Sequence, residues 1–308
     1  MKFFVSRIFF PMAVIGSFFI FLVVRETGGN LEIAIFLPSI ALMLLAVYLE
    51  RKIPFLAEWN TPQRDLGTDL TSAGVAMFVT EPILKLAGPV IMVALYGLLA
   101  RQDAFGLFPT ALPFVLQVLL AVLIAEFGSY WVHRWHHASP RLWWLHALHH
   151  GSRRLYAINN FRVHPVNHAL SVFAGILPLM FIGAPADVLM GYLALTSPVV
   201  LLQHANLPFR NGLLNYVFST NEVHRWHHST VPDEANRNFG RAIVIWDLVF
   251  GTFRYSSQAN KPQAVGLFDG GTYPADLSYV RQVFSMFRRD PRAPGCCDRC
   301  ASGCCASA

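Results

Sequence analysis

An all-α, multi-span membrane helical bundle is what this sequence predicts, and three observations predict it. Hydrophobic residues fill 54% of the 308 positions and charged residues only 14%, against roughly 25% charged in an ordinary soluble domain. Several apolar runs approach the ~20 residues a helix needs to cross a bilayer. All twelve histidines fall between His133 and His228, in segments that follow such runs or lie in polar stretches.

The runs are taken in order. Residues 8–24 read as a first span, preceded by Lys2 and Arg7. A signal peptide is the other reading, but no small-residue cleavage site precedes Arg25-Glu26. Residues 31–49 give a second span, closed by Glu50-Arg51-Lys52. Residues 53–69 are polar, contain proline and read as interfacial. The stretch 70–100 is too long for one straight helix, and Glu81-Pro82 and Gly88-Pro89 predict a kinked span or a re-entrant pair. Residues 111–132 run apolar into His133, with Glu126 near their end. An ionisable group there is a functional candidate or the partner of an arginine. Residues 169–203 read as a hairpin, broken at Gly183-Ala-Pro185 and returning to His204. This divides the chain into N-terminal spans (1–110), a catalytic-type domain (111–255) and a tail (256–308), disordered at 291–308.

Charge sets the orientation and excludes some partners. The net charge is +6, and lysine is absent between Lys85 and Lys261, so there is no basic tract of the nucleic-acid-binding kind. In a membrane protein such a balance points to cytoplasmic loops near anionic lipid. With Lys2, Arg7 and Arg51-Lys52 cytoplasmic, counting spans places 101–110 outside and every histidine cluster on the cytoplasmic side. The five cysteines all lie at 296–305, which is no spread disulfide framework. Cys297 and Cys300 have a C-x-x-C spacing, but without a surrounding fold a tail of reduced or lipidated thiols is the preferred reading.

The histidines carry the chemistry. H-x-x-H-H occurs as His133-Arg-Trp-His136-His137, His146-Ala-Leu-His149-His150 and His224-Arg-Trp-His227-His228. Positions i, i+3 and i+4 share a helix face, so each copy is expected to aim up to three imidazoles at one point. Neutral imidazole is a common metal ligand, and the set exceeds what one tetrahedral ion uses. Two metals sharing it is the economical reading. Between His133 and His228 the only acidic residues are Asp187 and Glu222. This excludes a ferritin-type carboxylate site. A two-His-one-carboxylate iron site would leave most of the histidines unexplained, and H-E-x-x-H is absent. What remains is a histidine-rich dinuclear site, a di-metal cap on the cytoplasmic edge of the bundle.

These motifs, in this order, resemble the fatty acid hydroxylase/sterol desaturase superfamily. The matching stretches are Tyr130 to His137, Leu142 to His150, Arg162-Val163-His164-Pro165, Gln203-His204-Ala205-Asn206, His224 to His228, Asn238-Phe239-Gly240 and Trp246 to Thr252. The resemblance covers about 115–255 and is far more specific for superfamily than for substrate. It implies a membrane-bound enzyme with two iron ions that uses O2 and two external electrons to hydroxylate or desaturate a lipid C–H position. It implies as ligands His133, His137, His146, His149, His150, His204, His224, His227 and His228. His136 stands where the family varies and is expected beside the site, not on the metal. His164 is open between ligand and orienting group, and His168 is less favoured. Asp247 and Asn238 are candidates to fix imidazole tautomers, while Trp143, Trp144 and Trp226 read as packing. No cytochrome b5-like or ferredoxin-like segment is apparent, so a separate protein of one of those types is expected to supply electrons. The alternative reading is a histidine-rich metal-binding or metal-transporting membrane protein without redox work. A transporter, however, would set its ligands at the bilayer midplane.

Overall fold

The computed structural model describes residues 2–99, 106–256, 261–268 and 273–288, and among these it is helical, with two isolated β-bridges and no strand. The helices are α1 (Lys2–Arg7), α2 (Phe9–Glu26), α3 (Leu31–Lys52), α4 (Leu66–Val75), α5 (Glu81–Leu99), α6 (Phe114–Ala138), α7 (Pro140–His150), α8 (Pro165–Phe181), α9 (Ala186–Leu202), α10 (Asn221–His227), α11 (Pro232–Ala235), α12 (Ile245–Val249) and α13 (Tyr279–Val283). Four helical runs are long and apolar enough to cross a membrane: Phe9–Glu26, Leu31–Lys52, Leu66–Leu95 and Phe114–Ala138. The shorter α8 and α9 form the expected hairpin.

The end of the stretch 53–69 is helical, which differs from expectation, and the run after it is one interrupted span and not a re-entrant pair. The helix begins at Leu66 and continues to Leu99, interrupted by one π turn at Ala76–Thr80. Its polar first turns are buried against the segment before α8. Ser72 Oγ donates to the Phe161 carbonyl (2.8 Å) and accepts from Val163 N (2.9 Å). Asp65 pairs with Arg154 (2.6 Å) and Asp69 with Arg162 (3.1 Å). The π turn ends where Pro82 enters the helix. Proline lacks an N–H and crowds the carbonyl four residues back, and widening the turn relieves both.

α6 is the central helix and packs on α7, α8 and α9. Its inward face carries Val118, Ala121, Val122, Ala125 and Ser129, the i, i+3, i+4 repeat of an amphipathic helix. α6 and α8 cross in near contact: a Cβ on Gly128 would stand 2.0 Å from the Ala174 carbonyl oxygen. Small residues permit this approach. Glu126, fully buried, accepts from Ala242 N (2.6 Å) and Ile243 N (3.3 Å) and lies 3.8 Å from Arg241. Its role is the structural pairing, which pins the segment 238–247 into the bundle.

The two ends of the bundle differ. At one, Arg25 pairs with Asp187 (2.9 Å), and Phe108 N donates to the Ile182 carbonyl (2.9 Å). At the other, Glu50 accepts from Ala157 N (3.0 Å) and Asn206 N (3.2 Å), and Arg210 N donates to the Ser6 carbonyl (2.7 Å). The second end gathers the start of α1, the end of α3 and the ends of α6 and α9, which is where the histidines lie. The expected outside loop 101–110 is described only from Gly106 onward, at the opposite end. Cys297 and Cys300 lie outside the described residues.

Candidate metal centre

The nine residues implied as ligands fall into two groups. His133, His137, His146, His150 and His227 form one, and His149, His204, His224 and His228 the other. Within each, one nitrogen per residue lies within 4.8 Å of all the others, so each group could hold a metal ion. The last turns of α6 supply His133 and His137. Ser139 breaks the helix and Pro140 starts α7, which supplies His146, His149 and His150. His204 follows the end of α9, and α10 with its C-cap supplies the rest.

The expectation that each H-x-x-H-H copy converges on one point is corrected. The i, i+4 pairs stay together, as His133 with His137, His146 with His150 and His224 with His228. The remaining member goes to the other group in α7 (His149) and α10 (His227), and to neither in α6 (His136). Four residues advance a helix by about 40° beyond a full turn and three fall about 60° short. A copy packed between two sites therefore divides. His136 is buried with Nδ1 donating to the Val132 carbonyl (2.6 Å).

Hydrogen bonds fix the bare nitrogen in six of the nine rings, while Nδ1 of His150, His224 and His228 has no hydrogen-bond partner among the described residues. Nδ1 of His133 donates to the Phe239 carbonyl (2.8 Å), that of His149 to Arg162 O (3.1 Å) and that of His227 to Arg237 O (2.8 Å). A carbonyl only accepts, so these rings carry the proton on Nδ1 and a lone pair on Nε2. His146 Nδ1 meets Asn167 Oδ1 (3.0 Å), His137 Nδ1 meets Asn236 Oδ1 (3.1 Å) and His204 Nδ1 meets Asn159 Oδ1 (2.9 Å). The Asn159 amide is itself oriented, because its Nδ2 donates to Ser152 Oγ and the Arg154 carbonyl.

The Nε2 atoms of the rings face one another. His133 Nε2 and His146 Nε2 are 3.0 Å apart, and His150–His227, His204–His224, His224–His228 and His149–His228 are each 3.1 Å apart between Nε2 atoms. Two metal–nitrogen bonds of about 2.1 Å at right angles span about 3.0 Å. Between His133 and His146, both protonated on Nδ1, the opposed lone pairs repel unless a cation lies between them, and the all-imidazole donor set fits metal ions. His137 Nε2 is buried with no protein partner.

The surroundings keep the rings neutral. Burial pushes His149 down to about 4 and holds His146, His150, His204, His224, His227 and His228 well below their ordinary value. Neutral imidazole is the ligating form. Phe239 packs on His133, His137 and His227, and Trp143 lies against His137 and His150. Trp144 Nε1 donates to Ser285 Oγ (2.9 Å) and Trp226 is buried, in keeping with packing.

Other candidates serve differently from expectation. His164 caps α8, its Nδ1 accepting from Val166 N (3.1 Å), and His168 pairs with Glu81 (2.7 Å); both lie outside the two groups. Asp247 and Asn238 touch no histidine. Asp247 accepts from Phe239 N, Gly240 N and Thr252 Oγ1 (each 2.7 Å), and burial still pushes its carboxyl up to about 6. Asn238 adopts the left-handed conformation (φ 57°), and its Nδ2 donates to the Val223 and Arg254 carbonyls. It stands between Arg237 and Phe239, whose carbonyls receive His227 and His133. Both residues thus shape the turn that fixes the tautomers. The direct acceptors Asn159, Asn167 and Asn236 were missed. Asn159 and Asn167 flank the R-x-H-P segment, but nothing in their spacing links them to a ring.

Comparisons with known proteins give the family of the chain. The fatty acid hydroxylase family model matches residues 118–252. Ornithine lipid hydroxylase OlsE of Rhizobium tropici is 32% identical over 263 residues, covering 84% of this chain and 76% of that protein. Alkylglycerol monooxygenase of Danio rerio is 30% identical over 168 residues, 54% of this chain but only 36% of its own length. Delta(7)-sterol 5(6)-desaturase erg3B of Aspergillus fumigatus is 25% identical over 234 residues, 74% of this chain and 64% of that protein. No solved structure matches. The chain belongs to the fatty acid hydroxylase/sterol desaturase superfamily, the class of O2-dependent lipid oxidoreductases.

Proposed function

We propose that the chain is a membrane-bound non-haem di-iron oxygenase that hydroxylates or desaturates a C–H position of a lipid, using O2 and electrons from a separate cytochrome b5-like or ferredoxin-type donor. The observation that carries this reading is the gathering of the nine histidines into two all-histidine groups with Nε2 atoms 3.0–3.1 Å apart. We assign His133, His137, His146, His150 and His227 to one iron and His149, His204, His224 and His228 to the other. Bound iron would supply O2 activation and hydrogen abstraction from an unactivated C–H bond. Hydroxylation consumes O2, two electrons and two protons and releases one water; desaturation, with the same inputs, releases two.

The chain's own residues set the conditions. The carbonyls of Arg162, Arg237 and Phe239 and the amides of Asn159, Asn167 and Asn236 hold protons on Nδ1 and leave Nε2 free to ligate. Phe239 and Trp143 pack against rings of the first group and give it an apolar flank, the setting that protects a reactive site from side reactions.

The histidine end is assigned to the cytoplasm. Lys2, Arg7, Arg51, Lys52, Arg64 and Arg210 gather there, which the positive-inside rule favours. Residues 1–110 then serve as membrane anchor and 111–255 as the catalytic domain. Ornithine lipid is the first substrate to test, since OlsE matches over most of both chains. Lipid extracts of cells with and without the gene, compared by mass spectrometry, test the reading. A product heavier by one oxygen or lighter by two hydrogens is expected, and unchanged lipids in iron-replete, aerobic cells expressing the protein would overturn it.

A further inference from the structure

A second charged feature lies at the histidine end, apart from the metal groups. A cavity of about 390 Å³ is lined by residues that include Lys2, Phe3, Phe55, Arg210, Glu222 and Arg225. Arg225 is only 2% exposed. Its guanidinium lies over the Phe55 ring, 3.9 Å from the centroid, and its Nε and Nη1 are buried with no hydrogen-bond partner. A guanidinium keeps its charge at any physiological pH. A buried charge without a partner is costly unless something pairs with it.

The carboxylate of Glu222, on the cavity wall, favours this charge through space but makes no hydrogen bond or ion pair with it. Glu222 Oε2 accepts from Asn211 N (2.6 Å) and Asn215 Nδ2 (3.1 Å), and Oε1 from the Tyr255 hydroxyl (3.3 Å). Lys2 and Arg210 add two exposed cations to the same wall. Three cations therefore meet one carboxylate already engaged elsewhere. A guanidinium fork matches the oxygens of a carboxylate or phosphate in two-point contact. Phe3, on the wall and 69% exposed, stands beside the opening at the start of α1. An aromatic ring next to cations at the end of a membrane bundle suits the boundary between head groups and acyl chains.

We propose that this cavity binds the anionic head group, phosphate or carboxylate, of a membrane lipid, with Arg225 as the buried anchor and Lys2 and Arg210 at the rim. The proposal is independent of the metal assignment, because it uses none of the nine histidines.

The test uses the full chain in nanodiscs of phosphatidylcholine alone or mixed with phosphatidylglycerol, reading the melting temperature and the lipid retained in native mass spectrometry. Phosphatidylglycerol is expected to raise the melting temperature and to be retained in preference to phosphatidylcholine. That preference should fall roughly tenfold or more in Arg225→Gln and by less in Arg210→Gln. Arg225 sits between ligand candidates, so if its variant fails to fold, the Lys2→Gln/Arg210→Gln double variant carries the same comparison. Equal preference in the wild type and these variants would overturn the proposal. So would inorganic phosphate reproducing the full stabilisation in phosphatidylcholine discs, which would make the site one for a free anion.

Discussion

His133 and His146 turn bare Nε2 atoms toward each other across 3.0 Å, because each ring's single proton is held on Nδ1, by the Phe239 carbonyl and by Asn167 Oδ1. Neither nitrogen can donate to the other. Folding thus builds an electrostatic demand that a cation satisfies, which couples metal binding to stability.

Asn167→Leu removes the acceptor that fixes the His146 tautomer while keeping an apolar side chain of similar size. Retention of iron against a chelator should fall about 10–100-fold, the usual effect of losing such an outer contact. Asn167→Asp, which still accepts, should keep most of it. Chelator competition followed by metal analysis measures both, and equal loss in the two variants would point to a packing role instead.

Asn238→Val should destabilise the protein, since a β-branched residue strains at φ 57° by about 1–2 kcal/mol and also loses the side-chain bonds to Val223, Arg254 and the 254 amide. Asn238→Gly keeps the conformation and should be milder. Melting temperature together with iron content reads the effect, because the same turn aims the carbonyls that hold His133 and His227. Equal melting points for the two variants would contradict this account of the turn.

His149→Ala, His150→Ala and His227→Ala should each abolish product formation, whereas His168→Ala should retain a substantial part. His168 contacts Glu81 at the start of α8 and belongs to neither histidine group. Product assays on well-expressed variants decide it. Near-normal turnover and iron in His150→Ala would remove that residue from the first group.

Acid should destabilise the metal-free chain between about pH 6.5 and pH 4. Burial lowers His149 to about 4 and moves His150, His224 and His228 downward as well. In that window the unfolded chain binds protons that the folded chain refuses. Stability present above the unfolded value is therefore lost as pH falls toward the folded one. Denaturant midpoints of the metal-free protein across this range should drop steadily, and a flat profile would contradict the neutral-histidine reading.

The spans and eight of the nine clustered histidines were legible in the sequence because both are local signals, apolar run length and the H-x-x-H-H repeat, while His204 stands in no repeat and came from the family resemblance. Three features were not. The division of the second and third repeats between two groups depends on α7 and α10 lying between the sites, which spacing along one helix cannot report. The helical start at Leu66 was hidden because Thr68, Asp69 and Ser72 look solvent-facing, whereas the partners that let them be buried come from residues 154–163. Asn159, Asn167 and Asn236 carry no pattern of their own, and only the fold brings them to imidazole nitrogens. Asp247 and Asn238 were read as partners of the imidazoles, but their hydrogen bonds go to the turn and not to the rings.

Iron stoichiometry after controlled anaerobic loading tests the central claim most directly. The account predicts about two iron ions per chain, because nine neutral imidazoles in two groups exceed what one ion takes up. It also predicts that His150→Ala and His204→Ala, drawn from different groups, each lose iron mainly from their own site. One ion or none in the fully loaded wild-type protein would contradict it.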